Sequence, residues 1–79
     1  MNISQLKFEN SAGNVSHAEV IQLAPEQFAV SVTLLAGSES KLVDLQRTDC
    51  LPRYFKAIES AINTLVKCGI FTILVRMKA

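Results

Sequence analysis

The fold is decided by the stretch FKAIESAINTLVKCGIFTILVRM (Phe55–Met77), in which apolar residues change from helical to strand spacing. In its first part they recur at three- and four-residue steps and so share one face of a helix. These residues are Phe55, Ile58, Ala61, Ile62 and Leu65. We expect Ile58, Ile62 and Leu65 to be buried against a sheet. Gly69 predicts the end of the helix, with a left-handed backbone and a contact between Leu65 and Ile70.

After Gly69 the side chains alternate with a period of two, which is typical of a strand. One side of this strand carries Phe71, Ile73, Val75 and Met77, and the other carries Ile70, Thr72, Leu74 and Arg76. Both sides are apolar as far as Leu74. The pattern predicts a strand that is central, covered on both sides, or in contact with a partner chain.

The N-terminal segment 1–13 predicts a short helix. Asn2 is a suitable N-cap, Gln5 follows three residues later as in a capping box, and Gly13 is a suitable terminator. Ile3 and Leu6 would share one face of that helix. A strand over Ile3–Phe8 is the alternative.

Three strands are predicted between the two helices, at Val15–Leu23, Phe28–Leu35 and Lys41–Gln46, with short turns that favour an antiparallel meander. The turns are expected at residues 24–27 and 37–39. Pro52 restricts the preceding residue to extended geometry, and the second helix begins between Asp49 and Ala57. The sequence therefore predicts one α+β domain over residues 1–79 in α-β-β-β-α-β order. Its antiparallel sheet has three to four strands, and one long helix packs on one face.

The opening MNISQL, the meander and the helix start Phe55–Glu59 followed by Ala61 resemble a family of small, uncharacterised proteobacterial proteins. The resemblance extends over nearly the whole chain. It implies a bacterial, cytosolic α+β protein with no known activity. It supplies no catalytic residues.

Composition bounds the ways in which this chain is stabilised. It has 79 residues, of which 49% are hydrophobic, and a formal net charge of +1. A core of this size is marginal without idealised packing or oligomerisation. Cys50 and Cys68 are too few for a disulfide framework and favour reduced thiols in the cytoplasm. The opening residues lack the apolar region of a signal peptide, and no apolar run is long enough to span a membrane.

No motif predicts catalysis, a cofactor or a metal. Cys50, Cys68 and the only histidine, His17, lack the spacing of metal ligands. His17 is interpreted as a surface or half-buried residue. Cys68 would lie at a helix C-terminus, where the dipole disfavours a thiolate, and Cys50 would lie near a helix N-terminus. Asp44 and Asp49 are expected to be solvated or to cap a helix.

Two functions are consistent with these features. The first is a non-enzymatic protein-interaction module that forms a homodimer or binds another protein through the final strand. Its candidate residues are Ile70, Thr72, Leu74 and Arg76. The alternative to such an interface is that the N-terminal helix covers the second side of this strand in a monomer.

The second function is a nucleic-acid-binding regulator. Residues 41–79 carry seven basic and three acidic side chains, whereas residues 1–40 carry one lysine and four glutamates. The α-β-β-β-α order resembles that of double-stranded-RNA-binding domains. The candidate residues are Arg47, Arg53, Tyr54, Lys56 and Lys67. Tyr54 would stack on a base or, alternatively, anchor the start of the helix.

Overall fold

A computed structural model describes residues 1–36, 39–47, 49 and 51–77, without the side chains of residues 36 and 39. It contains two helices and five strands. In chain order these are α1 (Ile3–Ser11), β1 (Val15–Ala24), β2 (Gln27–Ala36), β3 (Glu39–Asp44), β4 (Tyr54–Phe55), α2 (Ile58–Lys67) and β5 (Ile73–Arg76). The predicted turn at Gly37 and Ser38 and the position of Cys50 lie outside the described residues.

The sheet is mixed, so the prediction of an antiparallel sheet is wrong in one respect. Its order is β3-β2-β1-β5, and β4 pairs with β2 beside β3. β1, β2, β3 and β4 pair antiparallel as a meander predicts. β5, however, runs parallel to β1, with Ala18 opposite Ile73 and Ile21 opposite Arg76. The crossover through α2 explains this direction, because an intervening helix lets a later strand return parallel to an earlier one.

The N-terminal segment forms the predicted short helix, and the alternative of a strand is wrong. The side chain of Asn2 accepts the backbone N–H of Gln5 at 2.9 Å, and the side chain of Gln5 accepts the backbone N–H of Asn2 at 2.8 Å. This reciprocal pair is a complete capping box. The helix ends at Ser11, and Gly13 has a φ of 75°.

The second helix is shorter than the predicted long helix, and it starts later. Ala57 is its N-cap, in extended geometry, and ten residues follow from Ile58. Phe55 has helical spacing but belongs to β4, where it lies opposite Phe28 and is buried. Pro52 does not open the helix, because it forms an isolated bridge with Gln46 in the preceding loop.

The end of α2 agrees with the sequence in detail. Gly69 has a φ of 85°, and the N–H of Ile70 donates to the carbonyl of Leu65 at 3.0 Å. The N–H of Gly69 donates to the carbonyl of Val66 at 2.9 Å, which completes a Schellman ending. The following strand starts at Ile73 rather than at Ile70.

Both helices contribute to one core on one face of the sheet. Leu6 of α1 and Leu65 of α2 belong to the same buried cluster as Val20, Val30 and Val32. Ile58 and Ile62 pack against this cluster but stay partly exposed, so of the three residues expected to be buried only Leu65 is fully so. The asparagine Asn10 of α1 also donates its side-chain amide to the carbonyl of Cys68, at 3.1 Å, and so ties the two helices together.

Candidate interaction surface

Strand register separates the two faces of the sheet. Ala18, Val20, Val30 and Val32 alternate with their neighbours and are buried beneath the helices. Their neighbours therefore point to the opposite face, and neither described helix contributes to the core from that side. We call this opposite face the open face. The prediction that α1 covers the second side of the last strand is wrong for Leu74, which lies on the open face and is 53% exposed.

Each of the five strands places a large apolar side chain on the open face that is at least two-fifths exposed. In strand order these residues are Leu23, Leu35, Leu42, Tyr54 and Leu74. They follow from the pairing, since Leu42 is opposite Thr33, Tyr54 is opposite Ala29, and Leu74 is opposite Glu19. The spread over all strands means that the apolar surface extends across the sheet instead of collecting in one pocket.

A polar row crosses the middle of the open face. Asp44, Ser31 and Glu19 lie side by side on three adjacent strands, and the apolar Leu74 follows them on β5. The hydroxyl of Ser31 donates to a carboxylate oxygen of Asp44 at 3.1 Å, and Glu19 forms an ion pair with the guanidinium of Arg76. Arg76 is registered opposite Ile21, so this ion pair is a diagonal contact between parallel strands. It neutralises both charges at the edge of the sheet.

The β5 edge is the most apolar border of the sheet. β5 has β1 as its only strand neighbour within the described chain. Leu74 is exposed on the open face, and Val75, on the helix face, is 43% exposed. Phe71, which precedes the strand, is 77% exposed, and Met77, which follows it, is 58% exposed. Unpaired backbone groups with exposed apolar side chains on both faces form a template for pairing with another strand.

The structure separates the four residues that the sequence nominates for this interface. Leu74 and Arg76 lie in β5, on the open face. Thr72 precedes the strand, and its carbonyl accepts the N–H of Ala18 at 3.1 Å. Ile70 is 3% exposed and belongs to the core, so its side chain is not presented at the surface.

Three further residues of this region, which are not among the four candidates, are exposed. Phe71, Val75 and Met77 belong to the other side of the strand in the sequence pattern, and all three are open to solvent. Their alternation with Ile70, Thr72 and Leu74 indicates a strand but does not show that β5 is an edge. The parallel return of β5 beside β1 decides that point, and it depends on contacts distant in sequence.

The five residues predicted for nucleic-acid binding do not all lie on one face of the sheet. Arg47 and Arg53 line a shallow hollow together with Tyr54, and Arg47 forms an ion pair of 3.5 Å with Asp49. The guanidinium of Arg53 lies 5.3 Å from the centre of the Phe55 ring. Tyr54 faces the open side of the sheet, whereas Lys67 is on α2 at the other side. Lys56 is exposed in the turn before α2.

His17 and Cys68 have side chains that could take part in chemistry, and each has close neighbours within the fold. His17 lies 3.1 Å from the hydroxyl of Ser16 and 3.4 Å from that of Thr33, on the open face. Cys68 is buried, and burial raises the pKa of its thiol, while the positive charges of Lys7 and Arg53 lower it to a smaller extent. Among the described residues, no group of three or more histidine, cysteine, aspartate or glutamate side chains is placed to hold a metal ion.

Neither of the helices in the described part of the chain has the length and apolar character needed to cross a membrane. No protein-family model, no curated protein and no solved structure matches the chain. The resemblance to the small proteobacterial family therefore stays a prediction.

Proposed function

We propose that this chain is a non-enzymatic protein-interaction module that self-associates through the β5 edge. The observation that carries the proposal is the combination of an edge strand with exposed apolar side chains on both faces, Leu74 and Val75. A second copy of the chain is the proposed occupant. Antiparallel pairing of two β5 strands would make a two-fold symmetric interface, in which the same surface of each copy contacts the other.

The neighbourhood of β5 supports pairing without a buried charge. Arg76 is the only charged residue of β5, and its partner Glu19 is on the same subunit, with only 14% of its side chain exposed. A second copy can therefore approach without leaving this arginine unpaired, which would otherwise cost several kcal/mol. Phe71 and Met77 would extend the apolar contact beyond the strand.

The opposite edge of the sheet is less suited to this role. β3 carries Lys41 on its helix side and Leu42 on its open side, and both are exposed. An exposed lysine on an edge strand opposes pairing with another strand, because its charge would have to be desolvated. The difference between the two edges favours β5 as the contact between copies.

The proposal includes the cytoplasmic, bacterial setting that the sequence predicts. The cysteine content supports a reducing compartment, since two cysteines are too few for a disulfide framework. The small core supports self-association for another reason. A chain of 79 residues forms only a small core, and association would bury apolar surface in addition to it.

Sedimentation equilibrium tests the proposal on the wild type and on Leu74→Lys. At roughly 100 µM chain, a dimer with a micromolar Kd is almost completely formed. We expect the wild type to sediment as a dimer and Leu74→Lys to sediment as a folded monomer, because the lysine would be buried without a partner. Circular dichroism shows whether the variant has kept its fold.

Leu42→Lys is the matched control. Leu42 is also a leucine on the open face of an edge strand, and it is more exposed than Leu74, at 64%. We expect this variant to remain a dimer. A wild type that sediments as one chain contradicts the proposal, and dissociation of both variants to the same extent contradicts its placement at β5.

The nucleic-acid hypothesis is the second candidate, and the hollow lined by Arg47, Arg53 and Tyr54 is the observation that supports it. Affinity for an oligonucleotide that falls steeply with salt would favour it, because phosphate contacts release counterions. A dimer that is insensitive to salt and does not bind the oligonucleotide would favour self-association. The Arg47→Gln variant should weaken oligonucleotide binding only if this hollow contacts the phosphates.

A further inference from the structure

Three basic residues from separate elements surround one pocket between the two helices. Lys7 comes from α1, Lys67 from the last turn of α2, and Arg53 from the segment that enters β4. The pocket has a volume of about 270 Å³, and Ile3, Thr64 and Cys68 complete its lining. No acidic residue contributes to the lining among the residues that the structure describes.

These three basic groups are not neutralised within the described part of the chain. The ion pairs seen there join Arg47 to Asp49 and Arg76 to Glu19, and none involves Lys7, Arg53 or Lys67. The guanidinium of Arg53 is held over the ring of Phe55, and its backbone N–H donates to the carbonyl of Leu45 at 3.2 Å. Arg53 is therefore packed against the protein and partly buried, whereas Lys7 and Lys67 are exposed.

The thiol of Cys68, which also lines the pocket, lies within the field of two of these cations. Lys7 and Arg53, which are 46 residues apart in sequence, both act to lower its pKa, against the larger opposing effect of burial. Their positive potentials therefore overlap at Cys68. This overlap results from the tertiary fold, since α1 and the segment before β4 are far apart in sequence.

The C-terminal end of α2, which borders the pocket, would normally repel an anion through its exposed carbonyl groups. Here most of those carbonyls are occupied. Leu65 and Val66 accept the N–H groups of Ile70 and Gly69, and Cys68 accepts the side-chain amide of Asn10. The Schellman ending and Asn10 thus reduce the negative partial charge beside the three cations.

We infer that this pocket binds a phosphate group, held by the side chains of Lys7, Arg53 and Lys67. Arginine and lysine are the usual partners of phosphate, and one guanidinium with two ammonium groups can contact several of its oxygens. The volume of about 270 Å³ is sufficient for a phosphate group. The site lies on the helix side of the sheet and is independent of the β5 edge.

Titration with inorganic phosphate and with a phosphate monoester, followed by amide NMR, tests this inference. We expect saturable shifts at the amides of Lys7, Thr64 and Lys67, with little change elsewhere. The double variant Lys7→Gln/Lys67→Gln should bind at least tenfold more weakly. Lys41→Gln is the matched control, because Lys41 is an exposed lysine on β3 outside this pocket, and it should bind as the wild type does.

Two results would overturn the inference. One is the absence of saturable shifts up to about 10 mM ligand, since a site with a Kd of about 1 mM would be roughly nine-tenths occupied at that concentration. The other is an equal loss of affinity in Lys41→Gln and in the double variant, which would indicate nonspecific attraction to surface charge. Sedimentation of the double variant shows whether self-association has changed, and we expect no change.

A short single-stranded oligonucleotide separates the two sources of the phosphate group. Competition between the oligonucleotide and inorganic phosphate for the same amides assigns the pocket to a nucleic-acid backbone. Binding of phosphate and of the monoester without binding of the oligonucleotide assigns it to a small phosphorylated compound. Either result supports phosphate binding in the pocket. The loss of affinity in the double variant is what confirms the roles of Lys7 and Lys67.

Discussion

Ile70 donates its backbone N–H to the carbonyl of Leu65 across the end of α2, at 3.0 Å, and both side chains are almost completely buried. This pair closes the helix and at the same time directs the chain back toward β1. Gly69 between them adopts a φ of 85°, a region that residues with a Cβ atom enter only with strain. The change from helix to parallel strand therefore depends on one glycine and one buried pair.

Replacement of Gly69 by alanine should lower the free energy of unfolding by roughly 2 kcal/mol. About 1 kcal/mol comes from the left-handed backbone, and a similar amount comes from the loss of a hydrogen bond. A Cβ at this position would lie 2.8 Å from the side-chain nitrogen of Asn10, which donates to the carbonyl of Cys68. Urea unfolding measures the change.

Gly13 provides the matched control for this prediction. Its φ of 75° is similar, but a Cβ there would have no neighbour within 4 Å. Gly13→Ala should therefore cost only the backbone strain, about 1 kcal/mol. In an Asn10→Ala background the two glycine substitutions should become nearly equal in cost. Equal costs in the wild-type background would show that the contact with Asn10 has no effect on stability.

Leu65 and Ile62 lie on the same face of α2 but differ in burial, and their alanine variants should differ accordingly. Leu65 is fully buried, whereas Ile62 is partly exposed. We expect Leu65→Ala to lower the free energy of unfolding by about 2–5 kcal/mol through loss of buried surface and formation of a cavity. Ile62→Ala should cost roughly 1–2 kcal/mol. Denaturant unfolding of both variants gives the comparison, and a larger cost at Ile62 would contradict the packing.

The capping box of α1 gives a third prediction. Asn2→Ala removes the acceptor of the Gln5 N–H and should lower stability by about 1 kcal/mol. Asn2→Asp retains an acceptor and should be nearly neutral. Ser4→Ala is the control, because Ser4 is an exposed residue inside the same helix. Similar losses in Asn2→Ala and Ser4→Ala would show that the cap contributes nothing specific.

Local signals in the sequence predict much of this fold. The capping residues of α1, the alternation of Phe28–Leu35 and the glycine after α2 each act through neighbouring residues, and each has the expected structure. Predicted strand ends are within two residues for β1, β2 and β3. These features agree because hydrogen bonds and backbone preferences between near neighbours decide them.

The parts that could not be predicted depend on distant contacts. Phe55 has helical spacing relative to Ile58, yet it lies in β4 and pairs with Phe28 of β2. After the loop, the chain adds this short strand to the edge of β2. The alternating residues after Gly69 predict a strand without its neighbour. Pairing with β1 makes that strand parallel, leaves Leu74 and Val75 exposed, and buries Ile70. The basic pocket likewise joins residues that are 14 to 60 positions apart in sequence.

Cys68 should make the free energy of unfolding depend on pH in the alkaline range. Its thiol has a pKa above the ordinary value of 9.0 in the folded state, mainly because it is buried. The folded state therefore retains the proton at a pH where the unfolded state has lost it. This contribution to stability is complete below pH 9.0 and is lost as the pH rises through the higher pKa of the folded state.

Cys68→Ala, which removes the titrating group, gives the reference for this measurement. The difference in the free energy of unfolding between the two proteins, both carrying Cys50→Ser, should be constant below pH 9.0 and decrease above it. Lys7→Gln should extend the decrease to higher pH without changing where it begins, because Lys7 favours the thiolate only in the folded state. Thiolate absorbance measures the same pKa directly. A difference that does not change between neutral and strongly alkaline pH would show that the thiol titrates alike in both states.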